Sequence, residues 1–113
     1  MKYDLEERTA TFSEKIIDLC KKVPDNTIAK PIISQLVRAA TSIGANYMEA
    51  NGASSKKDFK NKIFICKKES METKYWLRML TKTDNQVTDD CRELWKEAQE
   101  LTLIFSKIAS QSK

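Results

Sequence analysis

Apolar residues recur along most of this chain at spacings of three, four and seven residues, which is the period of an amphipathic α-helix. The pattern predicts four helices, over about 4–22, 28–51, 56–81 and 88–110, with short polar segments between them. Helices joined by short connections pack beside one another in alternating directions. The sequence therefore predicts an all-α fold, an antiparallel up-down-up-down four-helix bundle, with residues 1–113 forming a single domain.

Residues at the predicted helix ends supply local start and stop signals. Pro24 follows the first helix and cannot continue it, and Gly52 is predicted to end the second as a left-handed cap. Ser55 and Asp58 resemble a capping box at the start of the third helix. Thr88 is the predicted N-cap of the fourth helix.

The second predicted helix has two different faces. Its apolar face contains Gly44, and a mid-helix glycine costs about 1 kcal/mol relative to alanine, so we expect a neighbouring helix to approach closely there. The opposite face bears amides, hydroxyls, one cation and one carboxylate: Gln35, Arg38, Ser42, Asn46 and Glu49. We predict that this polar face contacts a second subunit in a symmetric assembly. A solvated face with one local ion pair remains the alternative.

The third predicted helix places Glu69, Glu72 and Trp76 on one face. Paired glutamates are typical of carboxylate metal sites, but di-iron bundles combine them with Glu-x-x-His and this chain contains no histidine. We therefore expect the two glutamates to neutralise Arg38 or lysines, within or between subunits. Together with the polar face of the second helix, these three residues form the predicted interface network.

A row of cations follows another face of the third helix, within an arc of about 40°. Its members are Lys56, Lys60, Lys67, Lys74 and Arg78. Such a row could follow a phosphate backbone, and binding would then depend strongly on salt concentration. An ordinary solvated face is the alternative, since charge runs are often exposed. Tyr75 and Trp76 could stack on bases, although aromatic residues at helical positions more often belong to a core or an interface.

Composition narrows the possible functions. The net charge is +4, from 20 basic and 16 acidic residues, which permits nucleic-acid binding without requiring it. The absence of histidine removes the commonest general base and metal ligand, so we predict no catalytic residues, metal or cofactor. The three cysteines fit neither a disulfide framework nor a zinc spacing and are expected to be small buried hydrophobic residues. Without a secretory signal or a membrane-spanning segment, the protein is expected to be cytoplasmic.

Several motifs together resemble a known family. They are YDLEERT at 3–9, QLVRAATSIGANYMEA at 35–50, SKKDF at 55–59 and KKESMETKYWL at 67–77. The chain resembles the bacterial four-helix bundle family named for proteins encoded in intervening sequences of 23S ribosomal RNA genes. The same superfamily includes the accessory protein of diversity-generating retroelements. The residues that match the family motifs are Arg38, Thr41, Ser42, Gly44, Asn46, Glu49, Asp58, Phe59, Lys68, Glu69, Glu72, Tyr75, Trp76 and Leu77.

The resemblance implies a homopentameric ring without known catalytic activity. Its retroelement relatives use a basic pentamer surface to contact nucleic acid and a reverse transcriptase. Five copies of this chain would carry a net charge of about +20. We therefore predict a non-enzymatic homo-oligomer that binds RNA or DNA. The alternative hypothesis is a protein-interaction scaffold that docks a protein partner on an apolar patch at Tyr47, Met48 or Trp76.

Overall fold

The computed structural model describes residues 4–111, so Tyr3 of the first motif lies outside the described range. Its four α-helices are α1 (Leu5–Lys21), α2 (Ala29–Asn51), α3 (Lys56–Thr83) and α4 (Thr88–Gln111). α2 packs against α1 and α3, α3 packs against α4, and the contact between α1 and α4 is smaller. The predicted antiparallel four-helix bundle is confirmed.

Side-chain caps start two of the helices. The Asp4 carboxylate accepts from the Glu7 backbone N–H at 3.1 Å and caps α1. The Ser55 hydroxyl accepts from the Asp58 backbone N–H at 3.0 Å and caps α3, as the sequence predicts. A capping side chain satisfies one of the free N–H groups in the first helical turn, which explains why both helices begin where they do.

Two predicted helix ends are wrong. Gly52 has φ −100° and ψ 12°, so it is not a left-handed cap; its N–H instead bonds to the Glu49 carbonyl at 3.1 Å. Thr88 has helical dihedral angles and is not an N-cap, because a short 3₁₀ helix over Asn85–Val87 runs directly into α4. The cap of that turn is Asp84, whose side chain accepts from the Gln86 N–H at 2.9 Å.

α1 approaches α2 closely at Gly44. A Cβ atom at this position would lie 3.1 Å from Thr9 Oγ1 and 3.4 Å from Thr9 Cβ. Thr9 is buried, and its hydroxyl donates to the Leu5 carbonyl at 2.7 Å, so it has little freedom to move away. The predicted close approach of a neighbouring helix at Gly44 is therefore confirmed.

Large apolar side chains from all four helices fill the core. Those that are almost completely buried include Phe12, Ile16, Leu36, Ile43, Ile63, Leu77, Leu101 and Phe105. Cys66 and Cys91 are buried in the same core, as predicted, whereas Cys20 is half-buried. Burial raises the pKa of the Cys20 thiol to about 11 and those of Cys66 and Cys91 to about 12.

Candidate functional site

Arg38 lies at the centre of a polar network that joins α2 to α3. Its Nη1 donates to the two carboxylate oxygens of Glu69 at 3.2 and 3.4 Å, and its Nη2 donates to Glu72. Its Nε donates to Gln35 Oε1 at 2.9 Å, one turn earlier on α2. The guanidinium thus bonds to both glutamates and to an amide on its own helix, which fixes its plane.

The two glutamates have further donors. Ser42 Oγ donates to Glu69 at 3.2 Å, and Asn46 Nδ2 in turn donates to Ser42 Oγ at 2.9 Å. Trp76 Nε1 donates to Glu72 at 2.7 Å. Only 10% of the Glu69 side chain is exposed, so its charge depends on Arg38 and Ser42 for compensation. The hydrogen bond from Trp76 and, after it, the contact with Arg38 lower the pKa of Glu72 below its ordinary value.

Seven of the eight residues predicted for an interface network therefore meet in one place, which we call the Arg38 network. They are Gln35, Arg38, Ser42, Asn46, Glu69, Glu72 and Trp76. The eighth, Glu49, lies apart and accepts from Lys62 Nζ at 2.7 Å, which is a second link between α2 and α3. All of these contacts lie within a single chain. A role of this surface between subunits stays a prediction.

The carboxylate oxygens of Glu69 and Glu72 already have hydrogen-bond donors from this chain. They accept from Arg38, Ser42 and Trp76. Over residues 4–111, no group of three or more potential metal-ligating side chains converges.

The outer surface of α3 is strongly basic. The helix contains nine basic and three acidic residues, and two of those acids, Glu69 and Glu72, belong to the Arg38 network. Of the predicted cation row, Lys56 and Arg78 are exposed, while Lys60 and Lys67 are half-buried. Within the described residues, no carboxylate oxygen lies within 4.0 Å of these four cations. Their charges are therefore not neutralised by ion pairs in this part of the chain.

Lys74 differs from the rest of the row. Its ammonium group donates to Gln99 Oε1 on α4 at 2.5 Å and lies 5.3 Å from the centroid of the Trp95 ring. It therefore contributes to packing between α3 and α4, and the other four cations are the ones best placed to meet an anion.

Three apolar side chains lie exposed on the outside of α3; the sequence predicted a surface role for Tyr75 but not for Phe64 or Met71. Phe64, Met71 and Tyr75 are 49%, 50% and 54% exposed. They lie off the apolar row that faces the core, and this displacement is the sequence signal that could have identified them. Of the residues predicted for an apolar docking patch at Tyr47, Met48 or Trp76, Met48 is 62% exposed, whereas Tyr47 and Trp76 are partly buried against the core; a docking role there stays a prediction.

A groove of about 700 Å³ separates α1 from α4. Arg8 crosses it with two hydrogen bonds to Glu97, at 2.7 and 2.8 Å, and Lys22 pairs with Asp90 at 3.0 Å. The pairing with Glu97 raises the pKa of Arg8 above its ordinary value. These ion pairs join residues far apart in sequence, and the groove contains charges of both signs, so it offers no single ligand chemistry.

Fold and contacts together define an all-α four-helix bundle with an internal arginine–glutamate network and a basic outer helix. A family model supports a more specific assignment. The model for 23S rRNA-intervening sequence proteins matches residues 1–107. The chain therefore belongs to the 23S rRNA-intervening sequence protein family.

A solved structure shares this fold. It is the crystal structure of a protein of unknown function from the S23 ribosomal protein family of Bacteroides thetaiotaomicron. It is 29% identical to this chain, with a TM-score of 0.79, and the match covers 92% of this chain and 96% of that one. A comparison with curated proteins gave no match. Across residues 4–111, no helix is both long enough and apolar enough to cross a membrane.

Proposed function

We propose that this protein is a non-enzymatic homo-oligomer, a pentamer as the family resemblance implies, that binds RNA or DNA through the basic outer surface of α3. One observation carries the proposal: within residues 4–111, no carboxylate lies within ion-pairing distance of Lys56, Lys60, Lys67 or Arg78. Cations without a local partner are available to neutralise phosphates, and the counterions released on binding supply the driving force.

The dimensions of the helix suit a polyanion. The 28 residues of α3 extend over about 42 Å, and the row from Lys56 to Arg78 over about 33 Å of it. A surface of this length meets several consecutive phosphates of one strand. A symmetric assembly repeats the row in every copy, so the positive potential adds up around the particle.

Support for binding rather than catalysis comes from the state of the acidic side chains. General acid–base catalysis requires a titratable group free to exchange a proton with a substrate. Glu69 and Glu72 are instead engaged by Arg38, Ser42 and Trp76. The sequence contains no histidine to take that role.

A mobility shift or filter-binding experiment at two salt concentrations tests the proposal. The intact oligomer should bind at low salt and lose affinity steeply as salt rises. The triple variant K60Q/K67Q/R78Q should bind more weakly, and its slope of log K against log salt should be smaller by about 2 to 3, close to one for each phosphate contact removed.

A matched control separates local from global charge. K15Q/K21Q/K107Q removes the same number of charges from exposed lysines on α1 and α4. It should bind nearly as the unmodified protein does. No binding at low salt by the intact oligomer would end the proposal, and equal losses in the two triple variants would remove α3 as the binding surface.

The alternative is a protein-interaction scaffold, and the exposed Phe64, Met71 and Tyr75 favour it, because adjacent exposed apolar side chains mark docking surfaces. A scaffold predicts a protein complex that survives high salt. It also predicts that K60Q/K67Q/R78Q keeps its full affinity for the protein partner, whereas its affinity for nucleic acid would be reduced.

A further inference from the structure

The exposed apolar side chains of α3 follow one another along a single line. Phe64, Met71 and Tyr75 are separated by seven and four residues, which places them on the same face of the helix. At 1.5 Å per residue, the two rings are about 16 Å apart along the helix axis, with Met71 between them. About half of each side chain is exposed, although the core has its own complete apolar row on the opposite side of α3.

Cations surround this line. Phe64 has Lys60 four residues before it and Lys67 and Lys68 three and four residues after it, and side chains at these spacings are neighbours on a helix. Arg78 lies three residues after Tyr75 in the same way. An exposed ring with cations on both sides can contact the flat face of a base and the phosphates next to it at once.

The Tyr75 ring is held in place by its neighbours. It packs edge-on against the Trp76 ring, with centroids 5.0 Å apart and an interplanar angle of 77°. Trp76 is itself fixed by its hydrogen bond to Glu72. The Arg38 network therefore supports the position of an exposed ring, which reduces the conformational entropy lost when a ligand stacks on it.

We infer that the outer face of α3 binds single-stranded RNA or DNA, with bases stacked on Phe64 and Tyr75 and phosphates bound by the flanking lysines and Arg78. This inference rests on the proposed function and narrows it to one form of nucleic acid. In a duplex the base faces are already stacked on each other, so a duplex could use the cations but not the rings.

A second copy of the same face is a poor occupant. Two outer faces of α3 packed together would bring two copies of Lys60, Lys67, Lys68 and Arg78 close to one another. Like charges at such short range repel, whereas a phosphate strand complements them.

The test compares single-stranded and duplex probes in fluorescence anisotropy. Labelled 12-nucleotide oligo-U and oligo-dT represent single strands, and a 12-base-pair DNA represents a duplex. F64L and Y75L each keep an apolar, helix-compatible side chain but remove the ring. Each should weaken binding of the single strands about tenfold. The salt dependence and the duplex affinity should stay unchanged.

M71L is the matched control, since it replaces one apolar side chain on the same line without removing a ring; it should leave all affinities unchanged. F64W supplies a second measurement, because it should retain affinity, and its indole fluorescence should be quenched when a base stacks on it. Circular dichroism melts confirm that each variant is folded before it is compared.

The possible failures are distinguishable. If neither single strands nor duplex bind at low salt, the proposed function falls and this inference falls with it. If the duplex binds as tightly as the single strands and neither F64L nor Y75L changes the affinity, this inference is overturned while the proposed function stands. If F64L or Y75L lowers the particle mass in light scattering, the face is an interface between copies and the inference is overturned.

Discussion

Replacing Arg38 with alanine tests the Arg38 network directly. The change removes the two hydrogen bonds that Arg38 Nη1 donates to the Glu69 carboxylate. The Ser42 hydroxyl is then the remaining donor to this carboxylate in the network. Glu72 is less affected, because it keeps the Trp76 hydrogen bond and is about one-third exposed. The expected result is a less stable chain, since a nearly buried charge loses its counter-charge.

The magnitude follows from the exposure of the two partners. Breaking a fully buried ion pair costs about 3–5 kcal/mol, and an exposed pair contributes about 0–1 kcal/mol. Glu69 is nearly buried but 46% of the Arg38 side chain is exposed, so we expect about 2 kcal/mol. Unfolding entropy of about 2.1 cal/mol/K per residue gives about 0.24 kcal/mol/K for 113 residues. The melting temperature should therefore fall by about 8 °C.

Thermal and urea unfolding followed by circular dichroism measure this change. Protein concentration is held fixed, because oligomerisation makes the melting temperature depend on it. The double variant R38A/E69Q should recover about 1 kcal/mol, since a carboxamide has no charge to compensate and still accepts from Ser42. The control is K22A, which breaks the exposed pair with Asp90 and should cost less than about 1 kcal/mol.

Two outcomes would refute this reasoning. If R38A melts within about 2 °C of the unmodified protein and keeps its particle mass, the network is a solvated face without energetic weight. If the particle mass falls in light scattering while the unfolding of each chain is unchanged, Arg38 acts between subunits and the contacts within the chain are not what it stabilises.

Three further predictions concern other parts of the fold. G44A should destabilise the protein by about 1 kcal/mol, because crowding against Thr9 outweighs the better helix propensity of alanine. Adding T9A to the same chain should relieve the clash. A double-mutant cycle, measured by urea unfolding, that shows no coupling between the two positions would contradict this. The lowered pKa of Glu72 contributes stability that is present above its ordinary pKa of 4.5 and is lost as pH falls through the lowered value. W76F removes the first cause of the shift, so this variant should lose less stability than the unmodified protein between pH 5 and pH 3. Equal pH dependence of the unfolding free energy in urea titrations of the two proteins would contradict this. Folded protein at pH 8 should react slowly with iodoacetamide, with the half-buried Cys20 modified first. Rapid modification of all three thiols, detected by mass spectrometry, would contradict the raised pKa values.

The helical period was enough to predict the four helices, because an apolar stripe three or four residues apart is buried only when the helix packs on its neighbours. Gly44 could also be predicted, since a helix has no local reason to contain glycine at its centre. Gly52 and Thr88 were misjudged because the same residue types occur in several kinds of turn, and the backbone angles depend on how the next helix enters the bundle.

The candidate site was only partly predictable for a different reason. The helical period of the sequence places Arg38 on one face of α2 and Glu69 on one face of α3. It does not say whether these two faces meet within one chain or between two chains. Lys74 shares its helical arc with Lys56, yet only the packing of α4 brings Trp95 and Gln99 against it. The pairing of Arg8 with Glu97, 89 residues away, depends likewise on how α1 and α4 are rotated about their axes.

The Arg38 network and the basic surface of α3 are connected through the distribution of charge. α3 has only three acidic residues, and two of them bond to Arg38 on the side that faces α2. One arginine on α2 therefore both joins two helices and offsets the negative charge that would otherwise weaken the positive field of α3. Because opposite charges only a few ångströms apart largely cancel at longer range, a phosphate approaching the outer face meets lysines and Arg78 with little opposing field. The acidic residues of the Arg38 network thus face α2, while the charged residues around the exposed Phe64, Met71 and Tyr75 are cations, and this division links the fold to the proposed binding of nucleic acid.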